Sequence, residues 1–282
     1  MLTLVTGIEG FTGHFVKAEL EANGHTAIGL RSDLTDPDAV ENEILDLQPE
    51  AVIHLAGLAF VGENNINAFY DVNLIGTRNL LAALAKHVPN LRSVLVTSSA
   101  NIYGNSSGGV LDESMSPNPA NDYAVSKLAM EYMTHLWNNK LPLCIVRPFN
   151  YTGIGQNEKF LIPKIVKHFK DKDPVIELGN IDVWREFGDV RTVAIVYRML
   201  IENCPVAETL NVCTGQTYSL KEVIQLCRKL TGHQIEIKVN PEFVRENEVR
   251  ELKGDNTRLS RWLGNIPSYT FEETLSWMLS SN

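Results

Sequence analysis

Over the first half of the chain, short apolar runs alternate with longer amphipathic stretches. Leu2-Thr-Leu-Val-Thr6 is apolar on both faces and predicts a buried strand. A helix is expected over 11–23, ending near Gly24. Residues 25–30 predict a second strand and 36–47 a helix, with Pro37 suited to its first turn. A third strand follows over 51–56, a long helix over 69–86, a strand over 93–97, a helix over 122–138 and a strand over 143–147. Strands apolar on both faces, alternating with helices, specify a parallel sheet covered on both sides, the doubly wound α/β class. After Arg147 the rhythm loosens. A loop and helix are expected within 148–172, a strand and helix within 184–203, and short mixed elements to Asn282.

The first turn carries chemistry. Gly7-Ile-Glu-Gly10-Phe11-Thr12-Gly13 is a GxxGxxG that directly follows strand one and opens a helix. Glycines permit the tight turn and the close approach of backbone to a pyrophosphate, whose charge the helix N-terminus complements. The fold is therefore expected to be a Rossmann-type doubly wound parallel sheet with a dinucleotide at its carboxyl edge. Residues 1–150 are expected to form this domain, with 181–203 threading back into it. Residues 151–180 and 204–282 would form a smaller α/β C-terminal substrate lobe closing over that edge. An acid after strand two is the usual mark of NAD, whereas Leu30 is followed here by Arg31 and Ser32, which suit a 2′-phosphate. Asp33 competes, and Asp33-Leu34 also suits a place beside adenine. NADP(H) is favoured over NAD(H).

Composition narrows the partners. With 25 Lys and Arg against 34 Asp and Glu, the net charge is −9, which argues against a general nucleic-acid or anionic-membrane binder. No apolar run approaches the roughly 18 residues of a membrane span. The start lacks the pattern of a signal peptide. Cys144, Cys204, Cys213 and Cys227 lack metal-site spacing, so no metal is expected, and reduced, mostly buried thiols in a cytoplasmic protein are.

The reactive constellation lies downstream. Tyr123 and Lys127 are separated by four residues in Tyr123-Ala-Val-Ser-Lys127, so a helix places them on one face. A free phenol titrates near 10, and a neighbouring cation favours the phenolate and brings it towards acid–base range. Ser99, in Thr97-Ser-Ser-Ala-Asn-Ile-Tyr-Gly104, supplies a hydroxyl able to hold a carbonyl oxygen during proton transfer.

In order, the glycine turn, His54-Leu55-Ala56-Gly57, Asn73, Ser98-Ser99 and the YxxxK pair resemble the extended short-chain dehydrogenase/reductase family, in its nucleotide-sugar branch. The resemblance implies Ser99 as the residue that polarises a sugar carbonyl and Tyr123 as general acid–base. It implies Lys127 as the residue that lowers the tyrosine pKa and holds the nicotinamide ribose. Asn73 would complete a polar relay, while Leu55, Ala56, Gly57, Thr97, Pro148 and Phe149 border the cofactor. Dehydrating members carry acids in the two positions after the serine. Here these are Ala100 and Asn101, so no carboxylate base is present, although Asn101 suits a sugar contact.

Arg147-Pro-Phe-Asn-Tyr-Thr-Gly-Ile-Gly-Gln156 resembles the group of GDP-mannose dehydratases and GDP-4-keto-6-deoxymannose reductases. That likeness implies Asn150, Lys164, Arg185 and Arg245 as substrate contacts, the arginines on diphosphate. Trp184-Arg-Glu-Phe-Gly-Asp-Val190 departs from the group's motif at Glu186. The implied activity is NAD(P)H-dependent reduction of the C4 ketone of a nucleotide-linked 4-keto-6-deoxyhexose. GDP-4-keto-6-deoxy-D-mannose, giving GDP-D-rhamnose or GDP-6-deoxy-D-talose, leads. A dTDP-linked substrate and a 4-epimerase retaining bound NAD are the alternatives. A homodimer through helices 69–86 and 122–138 is a further expectation of the resemblance.

Overall fold

The structure is a computed structural model that describes residues 1–58, 65–104, 109–243 and 251–281. Six parallel strands form its centre: β1 (Leu2–Thr6), β2 (Thr26–Gly29), β3 (Ala51–His54), β4 (Ser93–Thr97), β5 (Leu143–Pro148) and β6 (Glu208–Val212). Their spatial order is β6-β5-β4-β3-β1-β2. The chain therefore reverses direction across the sheet between β1 and β3, which opens a ligand crevice at their carboxyl ends.

Both faces are covered, as the apolar strands require. On one face α1 (Phe11–Ala22) buries Val16 and Leu20 against Val5, Ile53, Leu95 and Val146, with residues of Val190–Asn203 and Thr257–Leu263 beside them. On the other, α2 (Pro37–Leu47), α3 (Thr77–His87) and α4 (Asp122–His135) enclose Leu4, Val52, Val94 and Ile145. Local signals set the starts of two of these helices. Asp36 caps α2 through the Ala39 amide with Pro37 in the first turn, and Asn121 caps α4 through the Ala124 amide.

The helix expected over 69–86 begins earlier, at Ile66, and passes through a π-helical turn over Asp71–Gly76 before continuing as α3. That irregular turn carries Asn73, and such turns concentrate at functional sites.

A second, four-stranded sheet has the order Thr217–Ser219, Trp184–Glu186, Glu251–Gly254, Gly109–Leu111. It shares its side of the molecule with a separate core around Ile165, Phe169, Val223, Ile224 and Leu275. The division of the chain differs from the expected boundaries in three places. Glu208–Val212 pairs with β5 in the central sheet, whereas Gly109–Leu111 and Trp184–Glu186 belong to the second. Short strands after a loop carry too little periodicity to reveal which sheet they join.

Candidate active site

At the carboxyl end of β1 the glycine loop is shaped for an anion. Gly7 has φ of +71, and a Cβ there would lie 3.1 Å from the Ala56 backbone. A Cβ on Gly13 would meet the Gly7 carbonyl oxygen at 2.3 Å. Gly10 is the N-cap of α1 and offers no side-chain cap, so the first amides of that helix are left for a ligand. A dinucleotide pyrophosphate fits this cradle. Phe11 stacks on Tyr151 with ring centroids 6.2 Å apart, and the Thr12 hydroxyl lies 2.8 Å from the Tyr151 hydroxyl, fixing the start of α1 against the segment after β5.

The turn after β2 is held from behind. Glu43 of α2 accepts from the Arg31 amide at 2.9 Å and the Ser32 amide at 2.7 Å, and from the Ser32 hydroxyl. Burial raises the Glu43 carboxyl, but these donors and the Arg31 charge outweigh it and leave its pKa below the ordinary value. Asp33 is exposed, and its carboxylate accepts from the amide and hydroxyl of Thr35, which lowers its pKa. Leu34 turns its side chain into the core, and its carbonyl accepts from Asn79.

A buried polar relay runs along the ends of β1 and β3. The Thr6 hydroxyl lies 2.7 Å from His54 Nδ1, His54 Nε2 lies 2.8 Å from the Thr77 hydroxyl, and that hydroxyl donates to the Asn73 carbonyl. Burial, with the nearby Lys127 charge, depresses His54 to about 3, so the imidazole is neutral. The Asn73 amide accepts from the Leu58 amide at 2.9 Å and donates to the Ser126 hydroxyl at 3.0 Å. Between Asn73 and Lys127 stands Gly57, where a Cβ would be 2.8 Å from Asn73 Oδ1 and 3.1 Å from Lys127 Nζ. Leu55 and Ala56 lead into this point, with the Ala56 amide donating to Thr6 at 3.0 Å.

The three candidate residues, Ser99, Tyr123 and Lys127, converge on this edge. Tyr123 and Lys127 occupy successive turns of α4, and both are buried. Ser99, just past the end of β4, accepts from the Asn101 amide at 3.1 Å, and its hydroxyl lies close enough to Tyr123 to act on the phenol's titration. Lys127 Nζ donates to the Thr97 carbonyl at 2.9 Å. Burial pushes Tyr123 up to about 12, against the lowering effect of Ser99. Burial likewise pulls Lys127 down to about 8, with Glu131 opposing. The direction for Tyr123 is opposite to that expected from the lysine. Desolvation of the phenol is the largest influence, and Lys127 is not among the groups that shift it. The result is a neutral phenol, the form that gives up a proton.

Pro148 and Phe149 continue β5 into the crevice, where the Phe149 ring lies 2.8 Å from the place a Cβ would occupy on Gly254. Asn101 and Asn150 are exposed nearby in sequence, and the Asn150 carbonyl accepts from Gly188. Arg185 is half-buried on the second sheet, its Nη1 donating to the Trp184 carbonyl at 2.8 Å. Lys164 donates to the Glu177 carbonyl and sits 4.8 Å from the centre of the Phe243 ring. Arg245 lies outside the described residues.

Two elements were given no role from the sequence. The relay through Thr6, His54 and Thr77 is hidden because it joins two strand ends to the start of a helix, a contact that local sequence does not show. Glu186 is fully buried and accepts from the amides of Thr214, Gly215 and Gly254 and from the Thr214 hydroxyl, tying the loop after β6 to the second sheet. The signal for Glu186 was its departure from the motif.

Comparison with known proteins agrees with this arrangement. Residues 3–213 match the model of the NAD dependent epimerase/dehydratase family. The chain is 41% identical to a GDP-6-deoxy-D-talose 4-dehydrogenase of Aggregatibacter actinomycetemcomitans, covering 96% of this chain and 94% of that one. It is 36% identical to a GDP-6-deoxy-D-mannose reductase of Pseudomonas aeruginosa, covering 98% and 95%. The structure of RMD from Pseudomonas aeruginosa complexed with NADPH superposes with a TM-score of 0.88 at 32% identity, over 99% of this chain and 98% of that chain.

Proposed function

The chain belongs to the NAD dependent epimerase/dehydratase family, and from that premise we propose that it reduces the C4 ketone of GDP-4-keto-6-deoxy-D-mannose to GDP-6-deoxy-D-talose. The observation that carries the reading is the burial together of Ser99, Tyr123 and, one helical turn on, Lys127, at the edge where the glycine cradle opens. The talose product rests on the relative 41% identical to this chain, which is a dehydrogenase of GDP-6-deoxy-D-talose. The C4 epimer, GDP-D-rhamnose, is the second reading, favoured by the relative 36% identical, a GDP-6-deoxy-D-mannose reductase.

When bound, the nicotinamide coenzyme supplies the hydride for C4. The chain supplies the rest. Ser99 donates to the carbonyl oxygen and stabilises the charge that grows on it. Tyr123, a protonated phenol whose titration burial moves further up, gives that oxygen its proton. The ammonium of Lys127 then lies near the phenolate that forms, and the line Asn73, Thr77, His54 keeps the surrounding donors aligned. Gly7, Gly10 and Gly13 with the α1 amides would hold the pyrophosphate. Arg185 would grip the diphosphate of the sugar nucleotide, and Asn101, Asn150, Lys164 and Arg245 complete the substrate set. Ala100 and Asn101 provide no carboxylate to remove a C5 proton, so dehydration is not part of the activity.

NADPH is the coenzyme we assign, because Arg31 and Ser32 occupy the turn after β2 and Glu43 fixes their amides. Arg31→Ala is expected to lower kcat/KM with NADPH while leaving that with NADH nearly unchanged. An equal fall with both would remove this assignment. A homodimer is proposed from exposed Ile66 and Ile75 beside Val125, Tyr132 and Leu136, which leave an apolar stripe across two neighbouring helical segments. Light scattering at twice the 31.5 kDa chain mass is the expected reading. Among the described residues no helix is long and apolar enough to cross a membrane.

The decisive assay for the activity is oxidation of NADPH on addition of GDP-4-keto-6-deoxy-D-mannose. Turnover of a sugar nucleotide with no added coenzyme and no net NADPH oxidation would mark an epimerase instead.

A further inference from the structure

Tyr103 is completely buried four residues after Ser99, and its hydroxyl belongs to a network that links α4, β5, β6 and the second sheet. Arg147 Nη1 donates to the Tyr103 hydroxyl at 2.9 Å, and that hydroxyl donates to Asn211 Oδ1 at 2.8 Å. Arg147 in turn forks onto Glu131 of α4, with Nε at 3.0 Å and Nη2 at 2.7 Å. Asn211 of β6 donates to the Leu111 carbonyl of the second sheet. The Tyr103 ring packs against Phe149 with centroids 6.2 Å apart.

A buried ion pair is a poor device for stability, because desolvation offsets most of the attraction and an apolar pair of similar volume serves as well. Direction is what this pair provides. With two nitrogens fixed on the α4 carboxylate, the third nitrogen of Arg147 turns to the Tyr103 hydroxyl at 2.9 Å, with a longer bond of 3.4 Å to the Glu113 carbonyl. The segment so held is the short 3-10 turn Ala100–Tyr103, which starts at Ser99 and is closed by Gly104. Gly104 has φ of +59, and a Cβ there would lie 1.6 Å from the Asn118 carbonyl oxygen. The Asn118 amide also donates to the Ile102 carbonyl. The turn is therefore fastened at its far end while its near end presents the Ser99 hydroxyl to Tyr123.

We propose that Tyr103 is a positioning residue for both halves of the reaction centre. Its hydroxyl, clamped between Arg147 and Asn211, fixes the turn that presents Ser99, and its ring backs Phe149. The first half concerns the proton and the second the nicotinamide side, so this deepens, and rests on, the assignment of Ser99 and Phe149 given above. Tyr103 touches neither substrate nor coenzyme in this account and acts through its neighbours.

Tyr103→Phe removes one oxygen atom and keeps the ring. Two measurements on this variant separate positioning from bulk stability and from the proposed activity itself. In hydrogen–deuterium exchange of the unliganded protein, peptides spanning 99–104 are expected to exchange at least fivefold faster, while those of β1 and α1 are unchanged. In steady-state assays with NADPH and GDP-4-keto-6-deoxy-D-mannose, kcat is expected to fall at least fivefold with a larger solvent isotope effect and an unchanged KM for NADPH. Arg147→Lys, which keeps the charge on Glu131 but loses the fork, should give the same exchange pattern and covers the case in which Tyr103→Phe fails to fold. Unchanged exchange at 99–104 in the folded variants overturns the proposal, as does accelerated exchange with wild-type kcat and isotope effect. If the wild-type protein fails to oxidise NADPH with this substrate, the function proposed above falls, and the exchange measurement still decides whether Tyr103 holds the turn.

Discussion

Gly57→Ala puts a crowded junction of the site, where two side chains meet, under direct strain. The added methyl would stand 2.8 Å from Asn73 Oδ1 and 3.1 Å from Lys127 Nζ, inside ordinary contact distance for both. Lysine is flexible, but its ammonium would have to leave or stretch its bond to the Thr97 carbonyl. Asn73 is less free, since its amide is held by Leu58 and Ser126 and its residue is completely buried in the π-helical turn. Relieving the overlap costs at least one buried hydrogen bond, which is worth about 1–3 kcal/mol when a partner is left unsatisfied. For a chain of this size, a loss of that order lowers Tm by about 2–12 °C, at roughly 2–4 °C per kcal/mol. The effect on activity should be larger in proportion, because the displaced ammonium serves the phenolate. Misplacement of about 1 Å in a reacting constellation costs on the order of 100-fold. Calorimetry with steady-state NADPH oxidation measures both. A Gly57→Ala protein with wild-type Tm and kcat would refute the close packing of Asn73, Gly57 and Lys127.

The pH dependence should separate activity from stability. Lys127 titrates at about 8 when folded, below the value of about 10.4 for a free lysine, so between these values the folded state binds fewer protons than the unfolded. The stability contributed by this group therefore rises with pH through that window, by at most about 1.4 kcal/mol per unit. Activity falls over the same range as the ammonium is lost. Denaturant unfolding of wild type and Lys127→Met at pH 7.5 and 9.5, with kcat/KM profiles, should show these opposite signs; parallel trends would contradict the assignment. Glu131→Gln should move the activity limb to lower pH, since the carboxylate raises the lysine. Glu186→Gln should lower Tm and raise KM for the sugar nucleotide with little effect on coenzyme affinity, as one carboxylate oxygen takes three of the donors that fix the loop after β6. An unchanged KM for sugar nucleotide in a protein of reduced Tm would limit Glu186 to stability.

Much of the centre of the molecule was legible in the order of residues. Buried strands such as Ala51–His54 announce themselves by being apolar on both faces, and GxxGxxG at the first turn identifies the cradle because glycine alone fits where a Cβ would meet the Gly7 and Ile8 carbonyls. Ser99, Tyr123 and Lys127 meet because a strand end and one helix face converge there. What stayed hidden depends on contacts between distant segments. Nothing local marks Asn73 as lying in a π-helical turn, or Arg147 as pointing at Tyr103 rather than at substrate. The Tyr123 shift went the other way because the pair spacing shows a lysine on the same helix face but not the burial of the phenol, which dominates. Strand Glu208–Val212 was placed in the lobe because five residues after a loop do not declare which sheet they extend.

The central claim is that this site reduces a ketone on a nucleotide-linked deoxyhexose. Its most direct test is the reaction of the purified protein with NADPH and GDP-4-keto-6-deoxy-D-mannose, with the product's C4 configuration read by NMR. The account predicts one NADPH oxidised per sugar reduced, a talo-configured product and loss of both with Tyr123→Phe. Absence of NADPH oxidation by the folded protein, or full activity in Tyr123→Phe, would contradict it.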